Sequence, residues 1–472
     1  MGVLAEVIRH VSNGYHLRNK ATIAILHSSW LLALTCILCF GAGAHAQSSS
    51  SIQQPDQHAG MNMPTQADSM QHMGHEMNSA RGFLMRESSG TAFQPSAWPM
   101  PMVMSGVGPW RLMWMAQAFL VDTQQTGPLG ADKFYSTNWG MLSAVHRLGS
   151  GDVMLRTMLS LEPATVTGEF YPLLFQTGET AYGKPIVNGQ HPHDFVMELS
   201  VQYAHRLGQH AVWDLYYAPV GDPALGPVAY PHRASAMEIP QSTLGHHWED
   251  STHILYNVVT AGMSYKAVRL EASGFHGAEP DENRWNIDFG PMNSYAARFT
   301  VTPTARWLAQ FSAGHLVHPE ALEPGDVVRT TASVEYIVPR PHGNAWATTL
   351  LWGRNGKQAV HYGTNAVLAE TVVPFKEKNF VSGRYEWSQR DELFANDPAL
   401  AQQLFEQTGS RWFDISACTV GYTRDIGIFH NVETGLGANV SLYGVPDVVK
   451  PYYGDHPLGA NVYLRLRLKE NR

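Results

Sequence analysis

The 472-residue sequence predicts an all-β fold: a transmembrane antiparallel β-barrel of about sixteen strands, with short periplasmic turns and long external loops. Three observations carry this expectation. The chain opens on an export signal, the rest alternates apolar and polar residues with a period of two, and its connections alternate between short and long. Composition agrees. The chain is 44% hydrophobic and 11% aromatic but only 15% charged, which disordered segments are not. A formal net charge of -8 argues against non-specific nucleic-acid binding. A mean hydropathy below zero argues against a bundle of membrane-spanning helices.

Residues 1–46 read as a secretory signal peptide. Arg9, Arg18 and Lys20 stand against the single acid Glu6, an apolar run follows from Ala21 to Ala44, and Ala44-His45-Ala46 supplies a small-x-small cleavage site before Gln47. The apolar run is also long enough to serve as an anchor; the cleavage pattern favours the signal. Removing it takes away three basic residues and one acid, so the mature charge becomes -8 - 2 = -10. Cys36 and Cys39 leave with it. Cys418 alone cannot form an internal disulfide, so the exported fold must close in another way.

Residues 47–109 read as a Met/His-rich, largely flexible periplasmic segment and residues 110–472 as the barrel. Alternating runs begin near residues 110, 137, 152, 194, 210, 253, 267, 294, 305, 328, 344, 365, 379, 411, 427 and 458. Short connections such as Gly149-Ser150-Gly151, Gly208-Gln209, Lys266 and Asp425 to Gly427 alternate with long ones such as 164–193, 220–252, 277–293 and 390–410. In this scheme Arg269, Glu271, Arg298, Glu335, Arg384, Glu386, Arg465 and Arg467 face the lumen, while their apolar neighbours face lipid. Trp110, Trp213, Trp307, Trp352, Trp387 and Trp412 are candidates for interfacial girdles. Asn396-Asp397-Pro398, followed by Leu400, Leu404 and Phe405, predicts a capped helix inside a long loop. The loops 164–193 and 220–252 are long enough to constrict the lumen.

Two kinds of candidate metal ligand stand out. His58, Met61, Met63, Met70, His72, Met73, His75 and Met77 crowd the mature N-terminus, and eleven of the eighteen mature methionines lie between residues 61 and 115. Thioether and imidazole together select soft ions, copper above all. Further along, His191, His193 and Asp194 precede one strand, and His246 and His247 lie shortly before another, in the stretch ending at His253. Such residues can bind a metal, or simply satisfy loop hydrogen bonds. No motif of an enzyme appears. Ser251 beside His253 is the nearest approach to a lipid hydrolase, and no oxyanion-hole motif accompanies it.

The signal peptide, Met/His tail and barrel together resemble the outer-membrane copper-resistance protein B type. The specific part of the resemblance is residues 58–77, and it implies copper binding at Met61, Met63, Met70, His72, Met73, His75 and Met77. The expected role is therefore that of a non-enzymatic barrel in the bacterial outer membrane, for solute transport or metal handling, with copper ions as the expected cofactor. The alternatives are a general porin-like channel and an outer-membrane lipid hydrolase. Outer-membrane lipids, a small solute or metal ion, and further copies of the chain in a homo-oligomer are the expected partners; nucleic acid is not.

Overall fold

The computed structural model describes residues 79–322 and 325–470. The signal peptide and the tail residues His58, Met61, Met63, Met70, His72, Met73, His75 and Met77 lie outside the described residues. In chain order the strands are β1 (Glu87–Ser89), β2 (Ala92–Phe93), β3 (Val103–Val107), β4 (Trp110–Gln125), β5 (Asp132–Leu148), β6 (Gly151–Leu159), β7 (Tyr171–Ala181), β8 (Lys184–Gln190), β9 (Val196–Leu207), β10 (Ala211–Gly221) and β11 (Leu255–Tyr265). They continue with β12 (Val268–His276), β13 (Ser294–Thr304), β14 (Trp307–Leu316), β15 (Val327–Arg340), β16 (Asn344–Lys357), β17 (Tyr362–Phe375), β18 (Asn379–Arg390), β19 (Phe413–Phe429), β20 (Val432–Gly444) and β21 (Leu458–Leu468).

Sixteen of these, β4–β6 and β9–β21, form one closed antiparallel wall. The seam is shared. β4 pairs through Gln117–Gln125 with β21 and through Trp110–Trp114 with β3, so the short β3 continues the ladder below the last strand. Closure satisfies the wall's N–H and C=O groups without an exposed edge, which a hydrocarbon environment requires.

Alternation sets the two faces. Along β20, Leu436, Val440 and Leu442 are exposed while Asn439 and Ser441 are buried. The same split places Leu215, Leu270, Phe311, Leu350 and Val462 outside and buries the eight charged residues expected in the lumen. A continuous apolar exterior on a closed barrel is a lipid-facing belt, and the protein is an outer-membrane barrel on that ground. Trp110, Trp213, Trp307 and Trp346 fall within the first three residues of strands that begin at short turns, and Trp307 packs on Tyr336 with ring centroids 4.4 Å apart. Trp352 lies mid-strand instead, away from either rim.

The connections follow the expected alternation with one shift. The turn between β19 and β20 is His430-Asn431, not Asp425 to Gly427, so β19 is longer than the sequence suggested. Both residues have positive φ, 47° and 64°, as a two-residue turn matched to strand twist requires. The helix Pro398–Thr408 forms as expected, with the Asp397 carboxylate accepting from Leu400 N and Gly409 closing it in the left-handed region.

The larger departure concerns residues 79–109, expected as part of a flexible tail. From Ser79 they are ordered. Helix Ala80–Leu84 and the β1–β2 hairpin lie in the lumen, where Arg156 donates to Gly90 O, Gln202 to Glu87 and Arg298 to Thr91. The loop after β10 enters as well. Every residue from Gly221 to Tyr256 is buried except Pro231. It bonds wall residues around the barrel: Arg298 with Gly226 O (3.1 Å), Ser312 with Gly226 N (2.8 Å), Glu386 with Leu244 N (2.6 Å), Asn439 with Gln241 (3.0 Å) and Tyr463 with Glu238 O (2.7 Å). Arg298, Arg384, Glu386 and Arg465 are thus paired with inserted chain, while Arg269 pairs with the wall carboxylates Asp214 and Glu271.

A charge placed on the outer face tests the lipid assignment. Leu350→Arg, halfway along β16, should cost about 2–4 kcal/mol of stability in lipid vesicles, and Phe429→Arg beside the turn about 0–1 kcal/mol. Urea unfolding of the folded barrels measures both; equal costs at the two positions would contradict the placement.

Candidate functional site

The inserted loop is held by a buried arginine. Arg233 donates through Nε to Glu370 on β17 (2.6 Å) and through a terminal nitrogen to Asp250 (2.8 Å) and Val228 O (3.2 Å). Asp250 also accepts from Tyr230 N (2.9 Å). Its second oxygen lies 2.7 Å from His246 Nδ1, and its backbone carbonyl 2.8 Å from His253 Nδ1. One carboxylate residue therefore ties the loop to the wall and orients two imidazoles.

The segment between β6 and β9 brings the rest. Its hairpin β7–β8 covers the external end, where Tyr171 stacks on Tyr135 and Phe175 on Tyr453. The chain leaving β8 carries His191 and His193 toward the inserted loop. His193 Nδ1 lies 2.9 Å from Glu162, whose other oxygen accepts from Asn138 N at 3.1 Å. The histidines from the two connections then meet. Ring centroids are 5.2 Å apart for His193 and His253, 5.3 Å for His246 and His253, 5.3 Å for His246 and His247, and 6.0 Å for His191 and His247.

His247 has a different environment from the others. Its Nδ1 is 3.2 Å from Glu320 and 3.5 Å from Glu279, and one donor atom from each of the three residues falls within 4.8 Å of the rest. Glu279 also accepts from Ser251 Oγ at 2.6 Å. The carboxylates come from the long connections after β12 and β14, so the trio stands at the external end. A cleft of about 1010 Å3 opens there, and Glu179, Glu279, Asp281, Glu282 and Glu320 line it. Gly178, at φ +128°, packs on the imidazole; a Cβ there would lie 2.8 Å from the ring.

On these connecting segments, burial sets the protonation. It holds His191 and His253 well below the ordinary imidazole value, and lowers His246 despite the Asp250 partner. Burial pushes His232 down to about 3. Burial works against protonated His247 too, but the Glu320 and Glu279 carboxylates outweigh it and raise the group well above the usual value.

Four of the candidate ligands, His191, His193, His246 and His247, are therefore assembled from two separate connections. Asp194 is not among them. Its oxygens take Tyr256 OH (2.8 Å) and Arg284 (3.4 Å), because it points toward the β11 wall instead of the imidazoles. Ser251 and His253 do not pair as a hydrolase dyad: the serine hydroxyl is engaged by Glu279 and Arg329, and the imidazole by a backbone carbonyl. Glu279 and Glu320 carried no signal in the sequence beyond being acids in long loops, Glu162 none beyond lying just before one, and Asp250 was visible only as part of the stretch ending at His253. A cluster of methionines also faces the lumen: Met113, Met115, Met141, Met158 and Met197 are buried together, with Met100, Met102 and Met104 against them. Packing therefore accounts for the methionines at positions 100–115 in the Met-rich stretch.

Because the loop fills the lumen, the wild-type barrel should show little single-channel conductance in planar bilayers. Arg233→Ala leaves buried Asp250 without its guanidinium and Glu370 with Arg384 alone, at a cost of about 3–5 kcal/mol. The variant should unfold at lower urea and conduct more. A large, steady conductance in the wild type would contradict the placement of the loop.

No protein-family model matches the chain, and no curated protein matches it. Among solved structures it is similar to Salmonella typhi OmpF in complex with daunomycin, at 9% identity and a TM-score of 0.48, over 77% of this chain and 100% of that one. It is similar to an anion-selective porin from Comamonas acidovorans at 11% identity and a TM-score of 0.44, over 76% of this chain and 99% of that one. It is similar to the outer membrane channel DcaP of Acinetobacter baumannii at 10% identity and a TM-score of 0.43, over 76% and 99%. These likenesses are distant, and the barrel is established by its own strand pairing.

Proposed function

We propose that the protein is a porin-like outer-membrane barrel that captures a divalent transition-metal ion at its external mouth and handles it within a filled lumen. The observation that carries this reading is the His247, Glu279 and Glu320 trio, whose two carboxylates line the acidic cleft. One imidazole and two carboxylates form a donor set for borderline divalent ions. The acidic rim raises the local cation concentration. The filled lumen favours this reading over a general open channel. The Met/His tail, His58 to Met77, expected from the sequence to be periplasmic, adds a soft donor set suited to copper.

The reading is tested on the full-length chain in detergent after chelation. Zn2+ titration by calorimetry should lose one bound equivalent, or weaken it by at least about tenfold, in Glu279→Gln/Glu320→Gln. Gly178→Leu should weaken the same equivalent by crowding the imidazole. Unchanged stoichiometry and affinity in the double variant would end the mouth assignment. The tail has its own test. Deleting residues 58–77 should reduce copper tolerance and copper stoichiometry, and if both survive the deletion, the tail captures no metal.

A further inference from the structure

The inner histidines present a second problem, independent of the mouth. Each of His193, His246 and His253 directs Nδ1 at an oxygen that can only accept: Glu162, the Asp250 carboxylate and the Asp250 carbonyl. All three rings therefore carry a proton on Nδ1, and in the neutral form each has its lone pair on Nε2 and no Nε2–H to offer its neighbour. His193 Nε2 and His253 Nε2 are buried without a hydrogen-bond partner among the described residues, and so are both ring nitrogens of His232. His232 sits against Trp139, with ring centroids 4.2 Å apart. Buried acceptors left without donors are costly, so a group of opposite character would satisfy them. The Nδ1 partners are themselves held, Glu162 by Asn138 N and Asp250 by Arg233 and Tyr230 N. Carboxylate and carbonyl acceptors behind a set of imidazoles are the outer arrangement found around metal-binding histidines.

We infer that His193, His246 and His253 form an all-imidazole site for a divalent late-transition-metal ion, of the Cu2+ or Zn2+ class, inside the lumen. Three neutral nitrogens suit such ions better than Mg2+ or Ca2+, which take oxygen. The donor atoms of this trio do not all lie within 4.8 Å of one another, as those at the mouth do, so binding an ion requires small movements of the rings that keep their Nδ1 bonds. His246 is the chain neighbour of His247, and their centroids are 5.3 Å apart. The inner site thus lies one imidazole from the mouth. The inference rests on the reading of the barrel as a metal-handling one, and it adds the second station.

Cu2+ is the probe. In the full-length chain, His58→Ala, His72→Ala and His75→Ala silence the tail imidazoles, and Glu279→Gln with Glu320→Gln silences the mouth. This parent should still bind one Cu2+ whose electron paramagnetic resonance spectrum shows splitting from about three imidazole nitrogens. Adding His193→Gln and His253→Gln should abolish that signal while the heat-modifiable gel shift of the folded barrel persists. If the double glutamine barrel does not fold, Glu162→Gln decides, with Cu2+ affinity expected to fall about 10–100-fold. A parent without nitrogen-coordinated Cu2+ would overturn the inference, as would a signal that survives loss of His193 and His253 or an affinity untouched by Glu162→Gln. The mouth reading stands or falls separately, on the equivalent lost by Glu279→Gln/Glu320→Gln when the histidines are intact.

Discussion

The contact between Arg233 and Asp250 is the one on which the interior depends. Arg233 is fully buried, and it spans from the wall at Glu370 to the far end of the inserted loop. Two charges out of water are expensive, and such a pair is retained when its geometry holds something else in place. Here that something is the histidine set. With Asp250 fixed by Arg233, His246 and His253 have one tautomer and one orientation. The pair therefore links the position of the loop to the chemistry of the lumen.

The closed wall and the filled lumen impose opposite demands on the same strands. Outside, lipid requires apolar side chains and a ladder without edges. Inside, many of the strands present polar residues to the buried backbone of an inserted chain. The wall supplies the missing partners: Glu386 for Leu244 N, Ser273 for Ala224 N, Ser312 for Gly226 N and Arg384 for Gln241 O. Arg465 shows how dense this pairing is, with Glu238 from the loop and Asp425 and Glu433 from neighbouring strands around one guanidinium. Several of the arginines and glutamates that could suggest a water-filled pore, Arg298, Arg384, Glu386 and Arg465 among them, instead fasten a plug built from the segment after Ser79 and the loop after β10.

The strands were legible because their signal is local. The alternation in Leu458 to Leu468 or Val268 to Ser273 is written in consecutive residues, and the sixteen runs read from the sequence correspond to the sixteen strands of the wall. The helix after Asp397 was legible for the same reason, since its cap and first turn lie within four residues. The β19–β20 turn was missed because Gly427 looks like a turn residue, whereas pairing continues past it to Phe429 and Val432. His191, His193, His246 and His247 were visible as residues that bind metals, but not as neighbours. More than fifty positions separate the two pairs, and only the insertion of one loop beneath the other joins them.

The sequence by itself determined the barrel, its strand number, and which face of each strand meets lipid. Period-two alternation needs no knowledge of distant partners. Tertiary structure alone decided that the lumen is filled, that Asp194 turns to Arg284 and Tyr256, and that Glu279 and Glu320 complete the environment of His247. The reason is physical. A lipid-facing wall is selected residue by residue against a uniform solvent. A site inside it is set by which buried donors and acceptors remain to be paired once separate loops have been brought together.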